Sequence, residues 1–252
     1  MGRNLMGHLR SNFAARIERA AFPGLPNKVE TAAALVRGGT PQGRFHLQFT
    51  AAANQSGGSD ALLFTMVPDL DLLAPLIANV DPNWVSVTVR GIAEMAGGTS
   101  PHGHAATRSW IDLSPFETEG DGVPRAWVNL ATQHSDQQLW GAMDKAALAL
   151  LARTAGAHKI EYHWDGGWKS QPPPSGAAFP PWREGLGTTY HESGTLWMGT
   201  DPNASVTDVN GRFHHVGNAY ACDQSLFPTV GSVNPVLTGL TLARKVAEHI
   251  AA

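Results

Sequence analysis

The run TTYHESGTLWMGT contains a histidine, His191, that is followed by the small residues Ser193, Gly194 and Thr195. Histidine can take up or release a proton near neutral pH, because its unperturbed pKa is about 6.5. A general base that works beside a flat ligand needs such a ring and small neighbours that allow close approach. The other interpretation is a structural histidine in a surface loop, and the residue type alone leaves both open.

Three polar residues nearer the C-terminus extend this candidate site. Asn234 has both a donor and an acceptor with which it can orient a substrate hydroxyl. Asp223 and Ser225 precede a glycine-containing loop and a helix start, where backbone N–H groups stabilise negative charge. A simple turn cap is an equal alternative for Asp223.

Several other chemistries lack the residues they require. The pairs His102 with His104 and His214 with His215 have no third ligand at a recognisable spacing, so no metal site is predicted. A single cysteine, Cys222, excludes an internal disulfide and a cysteine-based zinc site. A serine hydrolase would need the nucleophile motif G-x-S-x-G, which does not occur.

Composition limits the partners. The 252 residues are 42% hydrophobic and 15% charged, which suits a globular protein with a sizeable core. The formal net charge of -3 and the lack of a basic block argue against a nucleic-acid partner. No apolar run is long enough to span a membrane and no signal peptide is visible, so we expect a soluble protein whose compartment is unassigned.

The candidate residues must be positioned by a sheet. Apolar and polar residues alternate in several segments, which is typical of strands with two different faces. Most of these segments are joined by short connections, which favours antiparallel pairing. The sequence predicts about six strands, at residues 45–50, 61–67, 85–90, 109–113, 124–130 and 160–164.

Two helices are predicted. Apolar residues recur at helical spacing between Leu139 and Leu151, with Ser135 and Gln138 as a capping box and Gly156 as the stop. The run QPPPSGAAFPP at residues 171–181 then breaks all periodicity and predicts a boundary. A last helix opens at Pro235, and its predicted apolar face consists of Leu240, Ala243, Val246, Ala247 and Ile250.

An ordered set of motifs from Tyr190 onward resembles the C-terminal signature of the glucose-methanol-choline (GMC) oxidoreductases, which oxidise alcohols with bound FAD. The set comprises YHESGT, MG at residue 198, SVTD at residue 205, GRFHHVGNAYACDQSLFPT, and NP at residue 234 followed by Thr238. The segments GRNLMGHLRSN and DGVPRAWVNLATQHSDQQLWGAM are similar to earlier parts of the family. The resemblance therefore covers the whole chain, tightly after Tyr190 and loosely before it.

The resemblance implies roles for five residues. His191 would be the catalytic histidine that accepts the hydroxyl proton while hydride passes to flavin N5. Asn234 would hold the second catalytic position and also lie at the cofactor. Asp223 would help to hold the ribityl-pyrophosphate region of FAD, and Pro235 and Thr238 would lie near the pyrimidine side of the isoalloxazine. The implied substrate is an alcohol or a sugar-like molecule.

The sequence departs from the family in one respect. A dinucleotide-binding fold has G-x-G-x-x-G between a strand and a helix, and no such motif occurs. The chain therefore resembles the rear half of an enzyme, with Met1 where relatives have valine. We expect a mis-called or truncated gene, a product of a split gene, or a fragment of a longer record. The missing N-terminal FAD-binding half would lie in the same gene or on a separate chain.

The expected fold class is α+β: a mostly antiparallel sheet flanked by helices, with C-terminal elements of an FAD-binding domain whose Rossmann half is missing. Residues 1–10 would trail from the FAD-binding portion, 11–171 form the substrate-binding domain, 172–189 a Pro-rich boundary and 190–252 the C-terminal flavin-site segment. The predicted function is FAD-dependent oxidation of CH–OH groups, with the chain inactive by itself. The alternative is a non-catalytic remnant or accessory domain that does not bind FAD by itself.

Overall fold

The computed structural model describes residues 1–26, 30–53, 81–98, 109–173 and 180–252. Within these residues the chain forms a six-stranded sheet, a two-stranded sheet and two α-helices. Every strand pairing is antiparallel. This arrangement confirms the predicted α+β class.

The larger sheet has the strand order β2-β3-β4-β1-β7-β8, and β5 pairs with β6 in the smaller sheet. The strands are β1 (His8–Glu18), β2 (Glu30–Thr40), β3 (Gly43–Ala53), β4 (Trp84–Glu94), β5 (Trp110–Thr118), β6 (Pro124–Asn129), β7 (Ile160–Trp164) and β8 (Gly167–Lys169). The helices are α1 (His134–Ala155) and α2 (Val236–Ala251).

Five of the six predicted strands are confirmed. Residues 45–50 lie in β3, 85–90 in β4, 109–113 and 124–130 overlap β5 and β6, and 160–164 form β7. The segment 61–67 lies outside the described residues. Strands β1, β2 and β8 were not predicted, although β1 is the strand on which the candidate site is built.

Helix α1 covers one face of the larger sheet. Leu139 and Met143 of α1 belong to the same buried cluster as Leu9 of β1 and Val87 of β4, and Gly91 leaves room for the Met143 side chain. Because side chains alternate along a strand, residues of the other parity face away from α1. That second face carries polar side chains, which include His8, Asn12, His46, Gln48 and Arg90.

The cap of α1 differs from the prediction. The carboxylate of Asp136 accepts hydrogen bonds from the N–H groups of Gln133 (2.7 Å) and Ala96 (2.8 Å). The helix therefore begins at His134, and Gln133 and Asp136 form the capping box. The predicted box of Ser135 and Gln138 is wrong, because both residues lie inside the first turns of the helix.

The helix ends follow the sequence more closely. Gly156 ends α1 with a φ of 61°, a left-handed conformation that glycine adopts without steric cost. Pro235 precedes α2, and its carbonyl accepts from the Gly239 N–H at 2.9 Å. Of the predicted apolar face of α2, Val246 is buried, whereas Leu240 and Ile250 are 65% and 57% exposed.

Neither of these two described helices is long and apolar enough to cross a membrane.

One edge of β1 pairs with β4, and its other edge is shared. Residues 15–17 pair there with β7, while residues 10–12 bond to the segment 182–184, through Asn12 N–H to the Trp182 carbonyl (2.8 Å) and Glu184 N–H to the Arg10 carbonyl (3.0 Å). This segment lies in the predicted Pro-rich boundary, so the boundary includes backbone that extends the sheet. The division of the chain into domains stays a prediction.

Candidate functional site

The backbone after His191 is held on both sides. Ser193 exchanges two hydrogen bonds with Met6, of 3.0 and 2.9 Å, and the two residues form an antiparallel bridge. On the other side, Leu196 and Met198 donate to the carbonyls of Ser225 and Leu226, each at 2.9 Å. The segment 193–198 therefore links the N-terminus of the chain to the turn that follows Asp223.

This antiparallel register places His8 opposite His191. From the bridge between Met6 and Ser193, two residues forward on one strand and two residues back on the other lead to His8 and His191. The two rings meet edge to face, with 4.9 Å between centroids. Their Nδ1 atoms are 2.8 Å apart, which is a hydrogen-bond distance.

The second ring nitrogen of His8 reaches the loop that contains Asn234. His8 Nε2 lies 2.9 Å from the carbonyl oxygen of Gly231, and the His8 side chain is 2% exposed. His191 is half-buried, and its Nε2 atom has no hydrogen-bond partner among the residues that the structure describes. The structure thus connects His191, through one buried histidine, to the loop before Asn234.

The surroundings of His191 favour a neutral ring. Burial lowers the pKa of His191 below its usual value, and the charges of Arg10 and Arg90 lower this pKa further. The carboxylate of Glu192 acts in the opposite direction but does not cancel the effect of burial. A neutral imidazole at pH 7 can accept a proton, as a general base must.

His8 is held neutral more strongly. Burial lowers the pKa of His8 to about 4, against a smaller upward contribution from the Gly231 carbonyl. The nearby rings of His191 and His46 lower this pKa further, because two adjacent imidazolium charges repel each other. At neutral pH His8 therefore has one ring nitrogen that donates and one that accepts.

The low pKa of His8 predicts acid sensitivity. The unfolded chain binds this proton near pH 6.5 and the folded chain near pH 4, so the contribution of His8 to stability is present above pH 6.5 and is lost as the pH falls towards 4. Between pH 7 and 4.5 we expect His8 to account for a loss of about 2 to 3 kcal/mol in the free energy of unfolding. Urea titrations of the parent and of His8→Leu at both pH values measure this loss. Parallel pH dependences in the two proteins would contradict the prediction.

A cavity lies beside the Asn234 loop. It has a volume of about 570 Å³ and is open to solvent. Burial lowers the pKa of His46 on β3, and the Ser232 carbonyl partly opposes this effect, so a second neutral histidine faces the loop. The lining comprises Leu35, Arg37, Gly38, Arg44, Phe45, His46, Gln48, Gly231, Ser232, Val233 and Asn234.

A second cavity joins Asp223 to the backbone after His191. It has a volume of about 250 Å³, and its lining includes Ser193, Thr195, Asp223, Gln224 and Ser225. Asp223 caps the following 3₁₀ turn by accepting from the Ser225 N–H at 2.8 Å, which is the structural alternative considered for it. The Ser193 and Ser225 hydroxyls and the Gln224 side-chain oxygen are buried with no hydrogen-bond partner in the described chain. Such groups suit a ligand that brings hydroxyls of its own.

Gly194 has a role within the chain. Its φ is 91°, and a Cβ at this position would clash with the carbonyl oxygen of Asn4 and the methyl of Met6. Asn4 is fully buried, and its side-chain amide donates to the carbonyls of Gly194 and Pro228, each at 3.3 Å. The small residue expected to admit a flat ligand is therefore required by the packing of residues 4–6.

Gly194→Ala is expected to lower the free energy of unfolding by more than about 1 kcal/mol, because a left-handed backbone and a backbone clash both oppose the new methyl. Urea denaturation monitored by tryptophan fluorescence measures the change. Gly217→Ala is the matched control, since a Cβ there meets no atom within 4 Å and φ is not positive. Equal stabilities of the two variants would contradict the assignment of Gly194.

The residue before His191 has an unusual conformation. Tyr190 has a φ of 55°, which is uncommon for a bulky residue, and its side chain is 85% exposed. A backbone conformation of this kind costs of order 1–3 kcal/mol of folding free energy, and such conformations cluster at functional sites. The strain at Tyr190 is therefore consistent with a constraint on the position of His191.

The remaining predicted site residues lie near the start of α2. Pro235 is buried and Thr238 is exposed, and no backbone hydrogen bond joins either to the His191 segment among the described residues. His214 bonds to the Ser205 hydroxyl at 2.8 Å and His215 to the Pro202 carbonyl at 3.2 Å. His102 and His104 lie outside the described residues. The roles predicted for His191, Asn234, Asp223, Pro235 and Thr238 stay predictions.

Sequence reasoning did not identify two buried histidines of this site. His8 alternates with apolar residues in LMGHLRSNF, and His46 is a polar position within the predicted strand at residues 45–50. Both lie on the sheet face opposite α1 and contact the loop at residues 231–232. The alternation in β1 is a signal that could have identified His8 as a residue of a buried polar face.

Comparison with known proteins gives three similarities. Residues 106–243 match the model of a family described as GMC oxidoreductase. A segment of 69 residues is 38% identical to 5-(hydroxymethyl)furfural oxidase from Methylovorus sp. (strain MP688), and this match covers 27% of the chain and 13% of that protein. The fold is similar to the crystal structure of pyridoxine 4-oxidase from Mesorbium loti, with a TM-score of 0.49 and 21% identity, over 100% of the chain and 43% of that protein. The chain thus spans less than half the length of these proteins.

Proposed function

Because the chain belongs to the GMC oxidoreductase family, we propose that it takes part in the FAD-dependent oxidation of an alcohol, with His191 as the base that accepts the hydroxyl proton. The observation that carries this proposal is the state of the His191 ring. The ring is held through Nδ1 by His8, and burial and two arginines lower its pKa. The Nε2 atom is left without a partner in the described chain. A fixed, neutral imidazole with a free nitrogen is what proton removal from a hydroxyl requires.

Asn234 supports the proposal as the residue that orients the alcohol. Its loop is held by His8 through Gly231, and its side chain lines the cavity of about 570 Å³. An amide can donate to the substrate oxygen and accept from its hydroxyl. His191 itself does not line this cavity, so we place the body of the alcohol in the cavity and its hydroxyl between Asn234 and the Nε2 atom of His191. His8 bonds both to His191 and to the Asn234 loop.

The substrate class that we propose is a primary alcohol. The name of the similar Methylovorus protein specifies a hydroxymethyl group on a furan ring, and an open cavity of about 570 Å³ has room for a molecule of this size. Aromatic and apolar lining comes from Phe45 and Leu35, and polar lining from Gln48 and Asn234. A flat hydroxymethyl compound would place its ring against the apolar part and its hydroxyl towards Asn234.

The second cavity fits part of the cofactor. FAD would supply the acceptor for the hydride that leaves the alcohol carbon. The unpartnered hydroxyls of Ser193 and Ser225 and the side-chain oxygen of Gln224 can bond to a hydroxylated chain such as the ribityl group. Asp223 at the same cavity is exposed and caps the turn, so it would hold these groups in place and accept from a ligand hydroxyl. Asn234, Pro235 and Thr238 would contact the cofactor from the start of α2.

We propose that the pyrophosphate of FAD is bound by a dinucleotide-binding region outside these 252 residues, in the same protein or on a separate chain. The sequence has no glycine-rich phosphate turn, and a few contacts to the ribityl group and the ring cannot replace a pyrophosphate site. Apolar side chains on the outer face of α2, such as Leu237 at 77% exposed and Leu240 at 65%, would pack against that region.

The test is to produce the chain together with its dinucleotide-binding region, load the protein with FAD, and add a panel of primary alcohols without oxygen. The expected result is stoichiometric flavin whose oxidised absorbance disappears with at least one alcohol. Flavin that binds and stays oxidised with every alcohol would contradict the proposal and favour a non-catalytic remnant of the family.

A further inference from the structure

We infer that His8 is a positioning residue: it holds the neutral His191 ring in the tautomer that has its proton on Nδ1, so that the Nε2 lone pair is available to a substrate hydroxyl. The tautomer itself follows from contacts within this chain. Its catalytic meaning rests on the proposed function, in which His191 is the base. The observations that carry the inference are the two hydrogen bonds of the His8 ring, one to a backbone carbonyl and one to His191.

The Gly231 carbonyl fixes the tautomer of His8. A carbonyl oxygen can only accept a hydrogen bond, and it lies 2.9 Å from His8 Nε2. The proton of the neutral His8 ring must therefore be on Nε2. His8 Nδ1 is then a lone pair, which can only accept.

The lone pair on His8 fixes the tautomer of His191 in turn. The two Nδ1 atoms are 2.8 Å apart, and two lone pairs at this distance would repel each other. One of the two nitrogens must donate, and His8 Nδ1 has no proton to give. His191 Nδ1 therefore carries the proton and donates, which leaves the lone pair of the neutral His191 ring on Nε2.

His8 must be neutral for the protons to lie on His8 Nε2 and His191 Nδ1. A cationic His8 would donate from both nitrogens, and His191 would then have to accept at Nδ1 and carry its proton on Nε2, where it could not act as a base. Full burial of the side chain and the presence of His191 and His46 beside it oppose a positive charge on His8. The chain of hydrogen bonds thus runs in one direction at neutral pH, from His191 through His8 to Gly231.

The same arrangement suits the protonated product. When His191 takes a proton on Nε2, its Nδ1–H group keeps its bond to His8, and the bond becomes charge-assisted and stronger. No ring has to turn and no hydrogen bond has to break during the transfer. Because Gly231 is three residues before Asn234, the bonds that select the tautomer also position the loop of the second predicted catalytic residue.

The direct test is NMR of the 252-residue chain labelled with ¹⁵N in histidine, at pH 7 and without flavin or alcohol. Long-range ¹H–¹⁵N correlation spectra distinguish a protonated from an unprotonated nitrogen in each ring. The expected result is His191 with the proton on Nδ1 and His8 with the proton on Nε2. A spectrum with His191 protonated on Nε2, or with His8 protonated on Nδ1, would overturn the inference whether or not any variant folds.

Two variants separate positioning from simple core packing. His8→Gln keeps a donor for Gly231 and an acceptor for His191, and is expected to preserve the Nδ1–H tautomer of His191. His8→Leu fills the space without polar atoms, and is expected to leave His191 as a mixture of both tautomers. His163, which packs against Trp168 on β7 and β8, is the internal control and should keep the same spectrum in each variant. A His191 that keeps the single Nδ1–H tautomer in His8→Leu would show that another group selects it.

The tautomer measurement and the proposed function can fail separately. Tautomers opposite to those expected would remove the role of His8 while His191 could still be the base. The expected tautomers together with normal alcohol oxidation by a His191→Ala enzyme would remove the proposed function and leave the hydrogen-bond chain in place.

Discussion

Replacing His191 with alanine is expected to slow the reduction of bound flavin by an alcohol roughly 10²–10⁴-fold, which is the usual contribution of a well-placed base. The variant keeps the cavity lined by Asp223 and Ser225, so flavin content should change little. The measurement is anaerobic stopped-flow reduction of the FAD-loaded protein at a saturating concentration of a primary alcohol. A separate titration of flavin content shows that the rate, and not the occupancy, has changed.

His214 and His215 provide matched controls for this experiment. Each bonds to the turn at residues 202–205, through the Ser205 hydroxyl and the Pro202 carbonyl. Neither bonds to His8, as His191 does, so alanine at either position should leave the reductive rate within a few-fold of the parent. A parent-like rate in His191→Ala, with a large loss in His214→Ala or His215→Ala, would mean that the resemblance was applied to the wrong histidine.

Asp144→Ala is expected to lower the free energy of unfolding by about 3–5 kcal/mol, because it removes one partner of a buried ion pair. The side chains of Asp144 and Arg183 are 6% and 10% exposed, and their atoms are 2.8 Å apart. The Asp144 carboxylate also accepts from the Ser11 hydroxyl at 2.6 Å, and this hydroxyl accepts from the Trp140 indole at 2.8 Å. The substitution leaves the Arg183 charge buried and unpaired within a network that joins α1, β1 and the segment 182–184.

Urea denaturation measures this loss, and Glu248→Ala is its control. Glu248 and Arg244 also form an ion pair of 2.8 Å, but their side chains are 64% and 81% exposed on α2. Exposed helical pairs contribute about 0.3–0.5 kcal/mol. If Asp144→Ala were no more destabilising than Glu248→Ala, the buried network would not be what holds the segment before His191 against the sheet.

Strands with clear alternation could be predicted from the sequence. Residues 45–50 and 85–90 alternate strictly because one face of β3 and β4 packs on α1 and the other is polar. Strand β2 has no such signal, since it is mostly exposed and rich in alanine and glycine, which are poor strand formers. Its position at the edge of the sheet follows from pairing with β3 across the turn at residues 41–42, which local propensity does not show.

The candidate site could be predicted only in part for a similar reason. The motifs around His191 and Asn234 lie within 50 residues of each other and could be read together. The partner of His191 is His8, which is 183 residues earlier in the chain. Their contact depends on the antiparallel register between Met6 and Ser193, and this register is set by tertiary pairing. The same holds for Gly194, whose small size serves the packing of Asn4.

The proposed oxidation is tested most directly by a comparison of a primary alcohol with its α-deuterated form as reductants of the FAD-loaded protein without oxygen. If His191 takes the hydroxyl proton, hydrogen must also leave the adjacent carbon as hydride. We therefore expect the flavin to be reduced several-fold more slowly by the deuterated alcohol, and the aldehyde to form in equal amount to the reduced flavin. Equal rates with the two alcohols under conditions where reduction itself limits the signal, or no reduction at all, would rule out this oxidation.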